Sequence, residues 1–112
     1  MKYKFNLTCP YCPEQYDVYD GDELIAYVRY RYGHLIVHPY FKGLQEHFDL
    51  YSGDTTFRKK INFDITIYEE NIGNEFDGMF EEKDRDKILN KIDNEILKYM
   101  NNENEKSNGL IS

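Results

Sequence analysis

A chain of 112 residues with 14 lysines and arginines against 21 acids has a formal net charge of −7, and that length makes one domain with a small core. The acidity argues against direct DNA binding, which rests on neutralising phosphates. No apolar run reaches the roughly 18–20 residues of a membrane span, and the start MKYKFNLT lacks a signal-peptide core. A cytoplasmic protein with no membrane contact is therefore predicted.

Lys2 to Thr8 alternates, with Tyr3, Phe5 and Leu7 on one side and Lys2, Lys4 and Asn6 on the other, which predicts a first strand. Cys9-Pro10-Tyr11-Cys12-Pro13 reads as a turn and Gln15 to Tyr19 as a short strand, with Asp20-Gly21-Asp22 returning the chain.

The stretch ELIAYVRYRYGHLIVH, residues 23–38, predicts the central hairpin. Tyr32-Gly33 supplies a two-residue loop. That loop opposes Arg31 to His34, Tyr30 to Leu35, Arg29 to Ile36, Val28 to Val37 and Tyr27 to His38. Leu24, Ala26, Val28, Tyr30, Leu35 and Val37 then make the core face. The other face mixes Tyr27, Arg29, Arg31, His34 and His38 with Ile25 and Ile36. A slip of one residue would exchange the faces.

Pro39 ends the fourth strand, because proline cannot donate to a ladder. Tyr40 to Gly53 is less periodic and allows a short helical turn over 44–50. Phe57 to Glu70 predicts another strand, with Ile61, Phe63, Ile65 and Ile67 apolar and Asn62, Asp64, Thr66 and Tyr68 polar. Residues 71–80 read as a loop whose Phe76, Met79 and Phe80 cover an edge of the core. Glu82 to Met100 predicts a helix with a stripe of Ile88, Leu89, Ile92, Ile96, Tyr99 and Met100. Asp84 and Asp86 stand in its first turn and Lys98 in its last, as the helix dipole favours. Residues 1–100 form the predicted domain, and 101–112 a flexible polar tail.

Residues 1–63 carry eight bases and eight acids, whereas from Asp64 onward 13 acids face 6 bases. That acidic half suits a basic protein surface, including one that normally holds nucleic acid. Glu75, Asp77, Glu81 and Glu82 form its candidate partner surface. The Tyr27, Arg29, Arg31, His34 and His38 face is the candidate site for a partner or a small anion such as a nucleotide, since arginine forks suit phosphates and tyrosine rings stack on bases. The bland alternative is a solvated face whose arginines pair with nearby acids.

Cys9 and Cys12, three apart, can hold half of a tetrahedral zinc site, with His34 (or His38 or His47) as a third ligand and an Asp, His47 or a group from another chain as the fourth. His34 and His38 cannot both join it, because four residues along a strand set them roughly 13 Å apart. The bland alternative is two small half-buried residues in a tight turn. No cofactor is expected otherwise. The tetrapeptide CPYC also resembles the glutaredoxin active site, but Pro13 follows at once and no helix pattern opens there to activate a thiol. No nucleophile elbow, phosphate loop or zincin motif occurs, so no catalytic residue is assigned.

Residues 25–38, IAYVRYRYGHLIVH, followed by Phe80, Asp84-Arg85 and Ile88-Leu89, resemble short uncharacterised proteins of phages and other mobile elements with a "GYLRLRxG" hairpin and a "DRxxxL" helix. Ala26 stands where glycine is usual. The resemblance implies a phage or prophage origin and carries no function of its own. Small acidic phage proteins often act by binding, whether they block a host defence enzyme, mimic DNA or sequester a nucleotide signal. A phage-type, anti-defence inhibitor of a host protein in the host cytoplasm is the reading adopted.

The sequence thus predicts an α+β fold: an antiparallel sheet of four to five strands with one C-terminal helix on one face. The predicted function is a non-enzymatic, acidic interaction protein. A small-anion binder and a zinc-stabilised module are the alternatives. A homodimer is compatible with a free sheet edge.

Overall fold

The structure is a computed structural model that describes residues 1–11, 13–73 and 78–111, with 105–111 described by their backbone alone. Among the described residues the elements are β1 (Lys4–Cys9), β2 (Glu14–Asp20), β3 (Glu23–Arg31), β4 (His34–Pro39), β5 (Gln45–Phe48), β6 (Thr55–Arg58), β7 (Tyr68–Asn71) and α1 (Glu82–Ile111). Five strands form one antiparallel sheet in the order β1-β2-β3-β4-β7, and β5 and β6 form a separate two-stranded sheet. The α+β architecture matches the sequence expectation.

The central hairpin sets the frame. Tyr32 and Gly33 sit at φ 56° and 71°, the positive pair that a tight type I′ turn requires. The resulting register pairs Arg31 with His34, Tyr30 with Leu35, Arg29 with Ile36, Val28 with Val37 and Tyr27 with His38. Ala26, Val28, Tyr30, Leu35 and Val37 are therefore buried together, while Arg29 and Arg31 stay exposed.

α1 covers the apolar face. Ile92 and Ile96 are fully buried against the cluster of Val18, Ala26, Val28 and Val37, with Leu89 beside them and Ile88 and Met100 at its margin. Burying each such aliphatic side chain contributes about 1.5–3 kcal/mol. Asp93, on the same helix, is buried and accepts the backbone N–H of Tyr3 at 2.8 Å and of Lys2 at 3.1 Å. The start of the chain is thus tied to the middle of the helix.

Two sequence expectations are corrected. Residues 44–50 contain no helical turn: Gln45–Phe48 is a strand paired with Thr55–Arg58. The β-branched Thr55 and Thr56 supply a partner strand, and Gly43 and Gly53 at φ 73° bend the chain at either end. Nor is Phe57 to Glu70 one strand. The Asn62 side chain accepts from the Asp64 amide at 3.1 Å, and this Asx turn breaks the alternating run. Only Tyr68–Asn71 joins the sheet, and Phe63 is 65% exposed.

The helix also extends eleven residues beyond its expected end at Met100. Its backbone stays helical through the segment read as a polar tail, to Ile111.

Candidate functional site

The five residues of the mixed hairpin face do share one side of the sheet, but they do not converge. His38 is buried. One of its ring nitrogens, Nδ1, is 2.8 Å from the Ile65 carbonyl oxygen, and the Phe63 ring meets it edge-on at 5.1 Å. It anchors the segment that returns over β4. His34 is half-buried, its Nδ1 2.7 Å from the Asn71 side-chain oxygen and its Nε2 3.1 Å from Glu69. Tyr27 is half-buried, and burial pushes its phenol above the ordinary tyrosine range, partly against the pull of neighbouring Arg29. Nearby, Tyr40 donates to Asp17 at 2.8 Å. Arg29 and Arg31 remain outward, with Arg31 lying 4.6 Å over the Tyr32 ring. What is left for an anion is the pair of arginines and the exposed Tyr32.

The candidate zinc ligands lie on different strands. Cys9 pairs with Gln15, Gln15 with Arg29, and Arg29 with Ile36. Three strand spacings separate Cys9 from that point on β4, roughly 14 Å, and His34 lies two residues further along. Cys9 Sγ contacts the Tyr11 carbonyl oxygen at 3.3 Å, and Cys12 lies outside the described residues. Among the described residues no group of three or more His, Cys, Asp or Glu side chains is placed to hold a metal ion.

The acidic half of the chain builds a concave surface. A cleft of about 360 Å³ opens between β7, residues 72 and 79–81, and the first three turns of α1. Tyr30, Phe80 and Ile88 form its apolar interior, and Ile72 and Met79 stand partly exposed at its edge. Glu70, Glu81 and Asp84 supply carboxylates, Lys87 and Lys91 stand among them, and Glu81 is 3.4 Å from Lys83. Lys91 is 3.0 Å from Glu70 and shares it with Tyr68, and those two neighbours push its amine up to about 12. Glu81 and Glu82 of the predicted acidic surface are exposed here. Glu75 and Asp77 lie outside the described residues.

A buried ion pair fixes that cleft. Glu14, 1% exposed, receives Arg85 at 3.0 Å from two guanidinium nitrogens, the Phe80 amide at 3.0 Å, and the Tyr16 hydroxyl. Burial alone would raise the Glu14 carboxyl. The donors from Arg85, Tyr16 and Phe80 outweigh it and hold the group below the usual carboxylate range. Burial and the Glu14 contact push the Tyr16 phenol well up. Arg85 also meets Glu82 and the Phe80 carbonyl, so one guanidinium joins strand, loop and helix.

The sequence reading missed this pair, although a signal existed. Glu14, Tyr16 and Val18 alternate onto the core face, and Arg85 precedes Leu89 and Ile92 on the helix stripe. It also missed the exposed side chains of the β5–β6 arm. A second cleft, about 350 Å³, lies near Leu24, Pro39, Phe41 and Met100. Its Lys59 already donates to the Phe41 carbonyl at 3.0 Å and stands 3.9 Å from Glu23.

No protein-family model, no curated protein and no solved structure matches this chain. Among the described residues no helix is long and apolar enough to cross a membrane.

Proposed function

We propose that the protein acts by binding another protein, not by catalysis, and that the α1–β7 cleft receives a basic surface of its target. One observation carries the reading: the cleft joins an apolar interior of Tyr30, Phe80 and Ile88 to the carboxylates of Glu70, Glu81 and Asp84, which outnumber the lining lysines Lys87 and Lys91, although Lys91 already meets Glu70 and Lys83 meets Glu81. An aliphatic anchor flanked by lysine or arginine fits that combination, because the anchor gains from burial and the cations from the acidic rim. The excess of acids in the same half of the chain would steer such a target inward. The likeness of the hairpin and helix to mobile-element proteins makes a host defence protein, including one that handles nucleic acid, the class of target proposed.

The test is native mass spectrometry of the untagged protein purified from cells related to its host. A larger protein should co-purify, and Glu81→Lys with Asp84→Lys should remove it, as should high salt. Retention of the partner by that variant would end this reading.

A small anionic ligand on Arg29 and Arg31 is the second reading. It is favoured by their common exposed face and by Tyr32 stacked beside them. It predicts a nucleotide-sized mass on the wild-type chain that vanishes in Arg29→Ala/Arg31→Ala. A bare chain in both would exclude it.

A further inference from the structure

β7 is an outer strand of the five-stranded sheet, hydrogen-bonded on one side to β4. The ladder decides which of its backbone groups are used. The Ile72 amide donates to the Gly33 carbonyl at 3.0 Å, and the Val37 carbonyl accepts the Ile67 amide at 2.8 Å. Gly33 and Val37 therefore turn their backbone groups toward β7, and so does Leu35 between them, because bonded pairs alternate along an antiparallel ladder. The partners of Leu35 and Val37 are Glu70 and Tyr68. Glu69 and Asn71 are left with their N–H and C=O groups pointing outward, and both residues are exposed. Among the described residues these four groups have no hydrogen-bond partner.

The side chains of β7 alternate as well. Tyr68, Glu70 and Ile72 face α1: Lys91 bonds Glu70 and lies over the Tyr68 ring, and Glu70 and Ile72 line the acidic cleft. Glu69 and Asn71 face the other way, where both meet the His34 ring. The open edge of β7 thus runs along the cleft.

We propose that the target enters as an extended segment that adds to β7 as a sixth strand, antiparallel like the rest of the sheet. The inference rests on the reading of the α1–β7 cleft as the binding site and specifies what fills it. Two guest residues, opposite Glu69 and Asn71, exchange backbone hydrogen bonds with them. The residue between them stands opposite Glu70 as a non-bonded pair, with Cα atoms about 4.5 Å apart. Its side chain points to the α1 side, into the cleft of Tyr30, Phe80 and Ile88, where an aliphatic group fits. Its two neighbours project on the opposite face beside Glu69, where lysine or arginine fits.

The hydrogen-bonding groups select a strand as the guest, since a helix has already spent its backbone amides on itself. The charges select a basic one. Asp84 at the cleft has no ion-pair partner among the described residues, and Glu69 on the far face has only the His34 imidazole. A second copy of this chain is a poor guest, because its own β7 would set Glu69 and Glu70 against the same two acids. The opposite edge of the sheet, β1, is blunted by a bulge between Leu7 and Cys9.

The probe is the acetylated and amidated peptide Thr-Lys-Leu-Lys-Thr, titrated to millimolar concentration into the isotope-labelled full chain and followed by amide NMR. The Glu69 and Asn71 amides should shift and exchange more slowly with water, and Ile88 should shift with them. N-methylation of either lysine should weaken binding about five-fold or more, the worth of one backbone bond, and N-methylation of the leucine should not, because its N–H points away from β7. Glu69→Pro removes an outward donor and no β4–β7 bond, so it should bind about five-fold more weakly than Glu69→Ala with the same melting curve. The proposal is overturned by a peptide that shifts nothing, by N-methyl variants that bind alike or in the reverse order, or by a proline variant that binds as the alanine one does. Shifts confined to α1, with Glu69 and Asn71 unprotected, overturn strand addition and leave the cleft reading in place. That reading itself fails only when a co-purified partner survives Glu81→Lys with Asp84→Lys.

Discussion

Glu14 is the side chain on which the joint between sheet and helix depends. A buried carboxylate is tolerated only when its charge is matched and its lone pairs are used. Arg85, Tyr16 and the Phe80 amide do both. Arg85→Ala should therefore cost about 3–5 kcal/mol in urea unfolding, because it strands the charge. Glu14→Gln with Arg85→Met should cost much less. The pair also shapes the pH profile. The folded Glu14 carboxyl titrates below its unfolded value near 4.5. Its contribution is complete above that value and is lost as pH falls through the folded pKa. Wild-type stability should decline on the acid side of pH 4.5, and Glu14→Gln should lose that component of the decline. His38 answers to a similar argument. It was a plausible ligand clamp on its strand face, but its ring nitrogen meets the Ile65 carbonyl and its ring lies under Phe63. His38→Ala should speed amide hydrogen exchange across residues 61–67 and cost about 1–3 kcal/mol.

The central hairpin and the helix behave as their patterns demand, and the arm does not. Tyr32 occupies the left-handed region at φ 56°, which costs an ordinary residue about 1–2 kcal/mol. Tyr32→Asn makes the Asn-Gly pair that such a turn prefers. It loses the Arg31 stacking, worth about 0.5–1 kcal/mol at an exposed site. The net expectation is a gain of up to about 1 kcal/mol in thermal unfolding. In α1, Ile96 is fully buried against the sheet, so Ile96→Ala should cost about 2–5 kcal/mol. The β5–β6 arm has no such packing and keeps its shape through a tip turn and its own ladder. Phe48, Leu50 and Tyr51 have the composition of core residues. Exposure separates them from core residues, and that depends on where the rest of the chain lies.

The molecule is drawn out for its size. Its radius of gyration is 15.8 Å, and it measures 47 × 40 × 24 Å, against a radius of about 13 Å for a compact chain of this length. The 30-residue α1 alone is about 45 Å long. This shape leaves the apolar arm standing out from the core and the acidic cleft open beside β7, the latter to be tested by the charge reversals at Glu81 and Asp84. Zinc has little geometric support, since the sheet holds Cys9 and His34 on strands three spacings apart. A chelator should leave the melting temperature of the full chain in place, and a drop of several degrees would restore a metal to the account.

The local patterns carried the fold class, the hairpin register, the buried face of β3 and β4, and the stripe of α1. Periods of two and of three-to-four residues report which side of an element faces a core, and Tyr32-Gly33 pins the register on its own. The Arg29 and Arg31 face was legible for the same reason. Other features were decided by contacts between residues far apart in sequence. Arg85 meets Glu14 across 71 positions, and His38 meets the Ile65 carbonyl across 27. The run from Phe57 alternates like a sheet strand, yet an Asx turn at Asn62 and pairing with β5 divide it. Alternation shows that a segment can be a strand. Which strand it pairs with, and which apolar side chains stay in water, depend on how the whole chain closes around one core.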